Sequence, residues 1–186
     1  MRKILSAALV LALCAGSAVA GPFTPLKPFL GSWKGEGVNK GRPYTIFVRV
    51  KMVTPEDEDD MPYALIEYTD ETGKKVIGSA KLYPGDEEGQ YSATIFPPPG
   101  AAVKTPLGNV PLPSKIPASV SAGDGVLEFA AALSMPANFQ LKINGQGELA
   151  EDRKTMAYSV SGATLNTTGT LTRIKKPARK KTSAGQ

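Results

Sequence analysis

From Tyr44 to Val53 the side chains alternate, with Tyr44, Ile46, Val48, Val50 and Met52 on one side and Thr45, Arg49 and Lys51 on the other. A period of two puts one face of an extended chain in a core and the other in water, a pattern no helix of period 3.6 can use. Phe47 is the one large apolar residue on the polar side. Similar runs recur along the chain. Tyr63 to Thr69 leads through Asp70-Glu71-Thr72-Gly73 to Lys75–Tyr83, where Val76, Gly78, Ala80 and Leu82 share a face. After the turn at Pro84 to Gly89, Gln90 to Phe96 aligns Tyr91, Ala93 and Ile95. Ala118–Ala122 and Val126–Leu133 form a hairpin about Asp124-Gly125, with Leu127, Phe129, Ala131 and Leu133 on one face. Phe139, Leu141 and Ile143 lead to Asn144-Gly145, read as a tight turn or a bulge in a longer strand. Lys154 to Val160, aligning Met156, Tyr158 and Val160, and Leu165 to Ile174 complete the set, and Ser32 to Val38 begins it. Eight to ten strands with close turns and no amphipathic helix predict an all-β fold, a single antiparallel up-and-down β-barrel over residues 29–174.

Two stretches break the rhythm. Gly21 to Pro28 has three prolines in eight residues and reads as an extended lead-in rather than a helix. Residues 97–117 hold seven of the sixteen prolines, which excludes helix and central strand and predicts a long loop, whether a lid, a binding segment or simply a mobile one. The acidic run Glu56 to Asp60 offers oxygens that a calcium ion would accept, but it lacks the spaced ligand-and-glycine pattern of a formed site. A solvated hairpin tip is the expectation, with no metal site.

Arg2 and Lys3, the apolar run Ile4–Ala15 and the small residues Ala18-Val19-Ala20 read as a signal peptide over residues 1–20, cleaved after Ala20, and hence as a periplasmic or secreted protein. A lipoprotein reading through Cys14, the only cysteine, fits less well because Leu13 before it is too large. The formal charge is +5, of which Arg2 and Lys3 supply two. Arg173, Lys175, Lys176, Arg179, Lys180 and Lys181 supply six more, so residues 21–172 are net −3 and the basic character belongs to a tail. Residues 175–186 are expected to be disordered, with Arg173–Lys181 able to meet an anionic envelope surface. A net negative body in an exported protein argues against specific nucleic-acid binding.

The string Phe29-Leu30-Gly31-Ser32-Trp33-Lys34-Gly35-Glu36-Gly37, which holds the only tryptophan, opens the first strand. It resembles the Gly-x-Trp opening of the lipocalin and fatty-acid-binding (calycin) superfamily, and is similar to the start of nitrobindin-like and other small bacterial barrels. The resemblance implies that Gly31 and Trp33 close the barrel's base and that a basic side chain of the last strand, here Arg173, covers the indole. A guanidinium stacks on such a ring while its edge bonds to carbonyls. The chain has no histidine, so the haem ligand of nitrobindins has no counterpart and no cofactor is expected.

A barrel of this size either fills its interior or holds one small ligand. The inward set mixes large and small residues, and Tyr44, Ile46, Tyr91, Phe129, Met156 and Tyr158 are the candidate ligand-binding side chains, aromatic walls with a few hydroxyls. Without histidine, and without cysteine after cleavage, the common nucleophile–base pairs are missing. Thirteen of seventeen carboxylates lie in predicted turns, leaving Glu36, Glu67, Glu128 and Glu148 in strands. No catalytic residue is assigned and no enzyme is expected. The sequence points to extracytoplasmic binding or carriage of a small hydrophobic or amphipathic molecule without covalent chemistry. The alternative is a structural or interaction module of the cell envelope, with a filled barrel and a basic tail that meets anionic surfaces.

Overall fold

The computed structural model describes residues 21–39, 41–57, 60–69, 75–105, 108–135, 139–162 and 166–174. The signal peptide with Cys14, part of the acidic run, the whole Asp70–Gly73 turn and the tail 175–186 lie outside the described residues. Ten strands close into one antiparallel barrel. In chain order they are β1 (Gly31–Asn39), β2 (Arg42–Val53), β3 (Tyr63–Thr69), β4 (Val76–Pro84), β5 (Gln90–Phe96), β8 (Ile116–Gly123), β9 (Val126–Met135), β10 (Phe139–Leu149), β11 (Thr155–Gly162) and β12 (Asn166–Ile174). Each pairs with the next, and β12 returns to pair with β1. The fold is a meander closed on itself, which leaves no free edge. Two further strands, β6 (Ala102–Thr105) and β7 (Gly108–Pro111), form a separate ribbon inserted between β5 and β8.

Closure is set by the β1–β12 register, which pairs Trp33 with Arg173 and Gly37 with Gly169. The two ends of the barrel differ. At the end where β1 starts, a short 3₁₀ helix, Thr24–Phe29, lies across the opening and buries Leu26 and Phe29. These pack with Trp33, Val48, Val50, Leu82, Tyr91 and Leu171 into the main core. Each large apolar side chain sealed there contributes about 1.5–3 kcal/mol. At the opposite end, the mouth, Val103 of β6 packs on Leu141 of β10, with Val110, Leu112, Leu133 and Ile143 around them.

Several expectations are corrected. The lead-in is helical from Thr24: the amides of Thr24, Leu26 and Leu30 bond to the carbonyls of Gly21, Phe23 and Lys27, and Pro25 stands in the first turn, where a missing N–H costs little. The proline-rich segment is not all loop. It contains the β6–β7 ribbon, and its last residues begin β8, a barrel strand. Pro117 pairs with Thr94 of β5, whereas the β9 ladder starts only at Ala118, so the missing N–H falls where β8 has a neighbour on one side. Asn144-Gly145 is neither turn nor bulge, since β10 runs through it in unbroken register on both sides. Val76 is 47% exposed rather than inward, because the register shifts at Tyr68/Thr69. Met52 is likewise exposed, near the end of β2. The Asp124-Gly125 hairpin has positive φ at both residues, 48° and 81°, the two-residue turn that matches strand twist.

Candidate ligand-binding lumen

At the sealed end the indole of Trp33 is fully buried and its Nε1–H donates to the Phe29 carbonyl at 2.9 Å. The Arg173 guanidinium lies over the ring, 4.5 Å from its centroid, and one terminal nitrogen donates to the Pro28 carbonyl. Gly31 takes φ 131°, a conformation that side-chain-bearing residues avoid, as the chain turns from the helix into β1. Helix, first strand and last strand are thus pinned at one point.

Towards the mouth the interior is different. Ile46, Tyr68, Ile95, Ala118, Phe129 and Tyr158 point to the barrel axis yet are only half-buried. A ten-stranded wall encloses a wider bore than the eight-stranded wall that side chains just fill. The larger side chains also lie against the wall rather than across the bore, because glycines receive them. A Cβ on Gly145 would fall 1.9 Å from Cε1 of Phe129, and one on Gly147 would fall 3.1 Å from the sulfur of Met156.

The polar feature of this space is a row of four paired residues, Tyr44, Gly37, Gly169 and Tyr158, across β2, β1, β12 and β11. The outer two are three strand spacings apart, roughly 14 Å. Their rings reach inward over the two glycines until the hydroxyls meet at 2.6 Å. A Cβ on Gly37 would fall 2.1 Å from the Tyr158 hydroxyl and 2.6 Å from that of Tyr44; one on Gly169 would fall 2.6 Å from the Tyr158 hydroxyl. The Tyr44 hydroxyl also bonds Oγ1 of Thr167. Burial, then the hydrogen bond and proximity to Tyr44, push the Tyr158 hydroxyl well above the ordinary tyrosine range, so it stays protonated. Burial likewise raises Tyr68.

Of the six side chains singled out in the sequence, Tyr44 and Tyr158 are brought into contact, and Ile46, Phe129 and Met156 line the same wall. Tyr91 lies apart at the sealed end. It is 3% exposed, stacks on Phe23 at 6.0 Å and donates its hydroxyl to the Pro22 carbonyl at 2.9 Å. Burial, with the Glu88 charge second, raises its pKa. Thr167, Asn39 and Gly169 escaped the sequence reading, and Gly37 entered it only as part of the opening string. Their only signal is an inward place in alternating strands, which acquires meaning once the register is known. The four strand carboxylates lie off the axis: Glu36, Glu128 and Glu148 are exposed on the outer wall, and Glu67 pairs outside with Lys51 at 3.2 Å and Arg49 at 3.7 Å.

Two concavities lie outside the barrel. A groove of about 420 Å³ over β8 to β11 is lined by Ser119, Ser121, Asn144, Gln146 and Ser159, with Glu128 its one charged side chain. A cleft of about 870 Å³ separates the 3₁₀ helix from the turns at Asp124 and Glu151. Neither reaches the tyrosine pair.

No protein-family model matches the sequence, and no curated protein matches it. Among solved structures, the chain is similar to the crystal structure of Rv2717c from M. tuberculosis, at 16% identity and TM-score 0.46, covering 84% of this chain and 99% of that one. It is also similar to a redesigned β-barrel, at 13% identity and TM-score 0.32, covering 80% and 93%. At these values neither likeness extends to function.

Proposed function

We propose that the chain is an extracytoplasmic, lipocalin-like carrier of a small hydrophobic or amphipathic molecule, exported by residues 1–20 and acting without covalent chemistry. The observation that carries this reading is the half-buried, largely apolar wall of the mouth-side bore, above a base sealed by Trp33, Arg173 and the 3₁₀ helix. A surface that points inward yet meets water is one that an apolar ligand gains by covering. The ribbon packed on Leu141 and Leu133 covers part of the mouth and serves as its lid. Native mass spectrometry of freshly purified mature protein tests the reading. A co-purifying small molecule in a one-to-one complex is expected. Bare protein, together with failure of every hydrophobic probe to bind, would contradict it.

The second reading, an interaction module of the envelope, draws on the outer face of β1 to β4. There Lys34 sits 5.3 Å from the Phe47 ring and Lys81 4.6 Å from the Tyr63 ring. Arg49 and Lys51 lie between them, with Glu67 as the nearby acid. Cosedimentation with anionic but not neutral vesicles, surviving removal of the tail, would favour this face over the bore.

A further inference from the structure

Resting on the carrier reading, we infer that the bore selects an apolar molecule with an uncharged hydroxyl end, held at Tyr44, Tyr158 and Thr167, and discriminates against carboxylates. Three hydroxyls carry three O–H groups, and two hydrogen bonds join them, Tyr44 to Tyr158 and Tyr44 to Thr167. Whichever way those two bonds run, one O–H is left to donate to something else. Directly opposite Thr167 in the β1–β12 ladder is Asn39, whose side-chain carbonyl oxygen is shielded from water and has no hydrogen-bond partner. A buried acceptor left in this state is costly and lacks only a donor. One spare donor and one spare acceptor beside it match a single hydroxyl group, which both accepts and donates.

Charge points the same way. Among the described residues, the inward strand positions carry two charged side chains, Arg173 and Arg42. Arg173 is stacked on Trp33 at the sealed end. Arg42 shares the face of Tyr44 and is paired with Asn39, but it is exposed at the rim. A carboxylate seated at the tyrosines would lose hydration while Arg42, on the same face, stayed in water, where the attraction is weak. The neutral hydroxyls there offer it one hydrogen bond and no counter-charge.

The test is displacement of N-phenyl-1-naphthylamine from the mature protein at neutral pH by three ligands of equal chain length, dodecanol, methyl dodecanoate and dodecanoate. Dodecanol is expected to bind about tenfold tighter than the ester, which only accepts, and tighter still than the ionised acid, since one well-placed hydrogen bond corresponds to roughly that factor. Asn39→Ala removes the acceptor that only the alcohol can use and should bring the alcohol-to-ester ratio close to one, with buried Trp33 emission confirming that the variant folds. If the probe fails to bind wild-type protein, the carrier reading itself falls. If the probe binds but dodecanoate competes as well as dodecanol, or the ratio survives Asn39→Ala, the hydroxyl inference alone is overturned. Acid binding that disappears in Arg42→Gln would assign the head group to the rim arginine instead, and also overturns it.

Discussion

Gly37 and Gly169 keep open the space in which two tyrosines from strands on either side meet, space that a methyl group would take. Gly37→Ala puts a carbon 2.1 Å from the Tyr158 hydroxyl and forces both rings off their positions. We expect a loss of about 1–3 kcal/mol, the usual cost of overpacking. Adding Tyr158→Phe removes the clashing oxygen, so the double variant should be more stable than the sum of the single effects, by at least about 0.5 kcal/mol of coupling. Urea unfolding of the four proteins checks both numbers, and strict additivity would show that the two residues do not share the space. The sequence displayed the tyrosines as inward residues, since alternation assigns faces. It did not display their meeting, because nothing local says that residues 114 positions apart stand in one cross-strand row. Strand glycines such as Gly145 read locally as turn or bulge, and only the neighbouring Phe129 ring gives the reason for them.

At the scale of elements, the strands were legible and the connections partly so. Alternation and the Asp124-Gly125 dipeptide located the β8–β9 hairpin, and both residues adopt the positive φ that its two-residue turn requires. Gly125→Ala should cost about 1 kcal/mol, the penalty for a side chain in that conformation. It should do so mainly through the hairpin, which amide hydrogen exchange would reveal as faster opening of β8 and β9 than of β1 and β12. Uniform loss of protection would mean that the turn has no local part in holding those strands. The prolines misled the reading twice, for one physical reason. Proline removes a donor and fixes φ, and both are harmless where the donor is not needed, as in the 3₁₀ helix and at the one-sided start of β8. Whether a donor is needed depends on the neighbours, which composition does not reveal.

Over the whole molecule, polarity is sorted by radius and along the axis: the described strand carboxylates outside, three of the six tyrosines held in low-polarity surroundings, and a base sealed by the 3₁₀ helix opposite a mouth met by the β6–β7 ribbon. The tyrosines give the fold an alkaline limit. Tyr68, Tyr91 and Tyr158 have their pKa values raised on folding, so the unfolded chain releases these protons first. Their contribution is therefore complete below the ordinary value of 10.0 and is lost as pH climbs through the folded values. Tyrosinate absorbance should show three residues titrating late, in step with loss of buried Trp33 emission. Six tyrosines titrating together at the ordinary value in a folded protein would contradict that environment.

The central claim is an accessible apolar bore, and the most direct measurement is a fluorescence titration of N-phenyl-1-naphthylamine into wild-type protein and into Ala118→Phe. Ala118 faces the axis on the mouth side, paired with Ala93 and Ala131, so a phenyl group there occupies the space a ligand would use. We expect saturable one-to-one binding to the wild type and loss of at least about tenfold in affinity in a folded Ala118→Phe variant, roughly the 1.4 kcal/mol of lost contact that such filling implies. No binding to the wild type, or binding that Ala118→Phe leaves unchanged, would show that the bore takes no ligand.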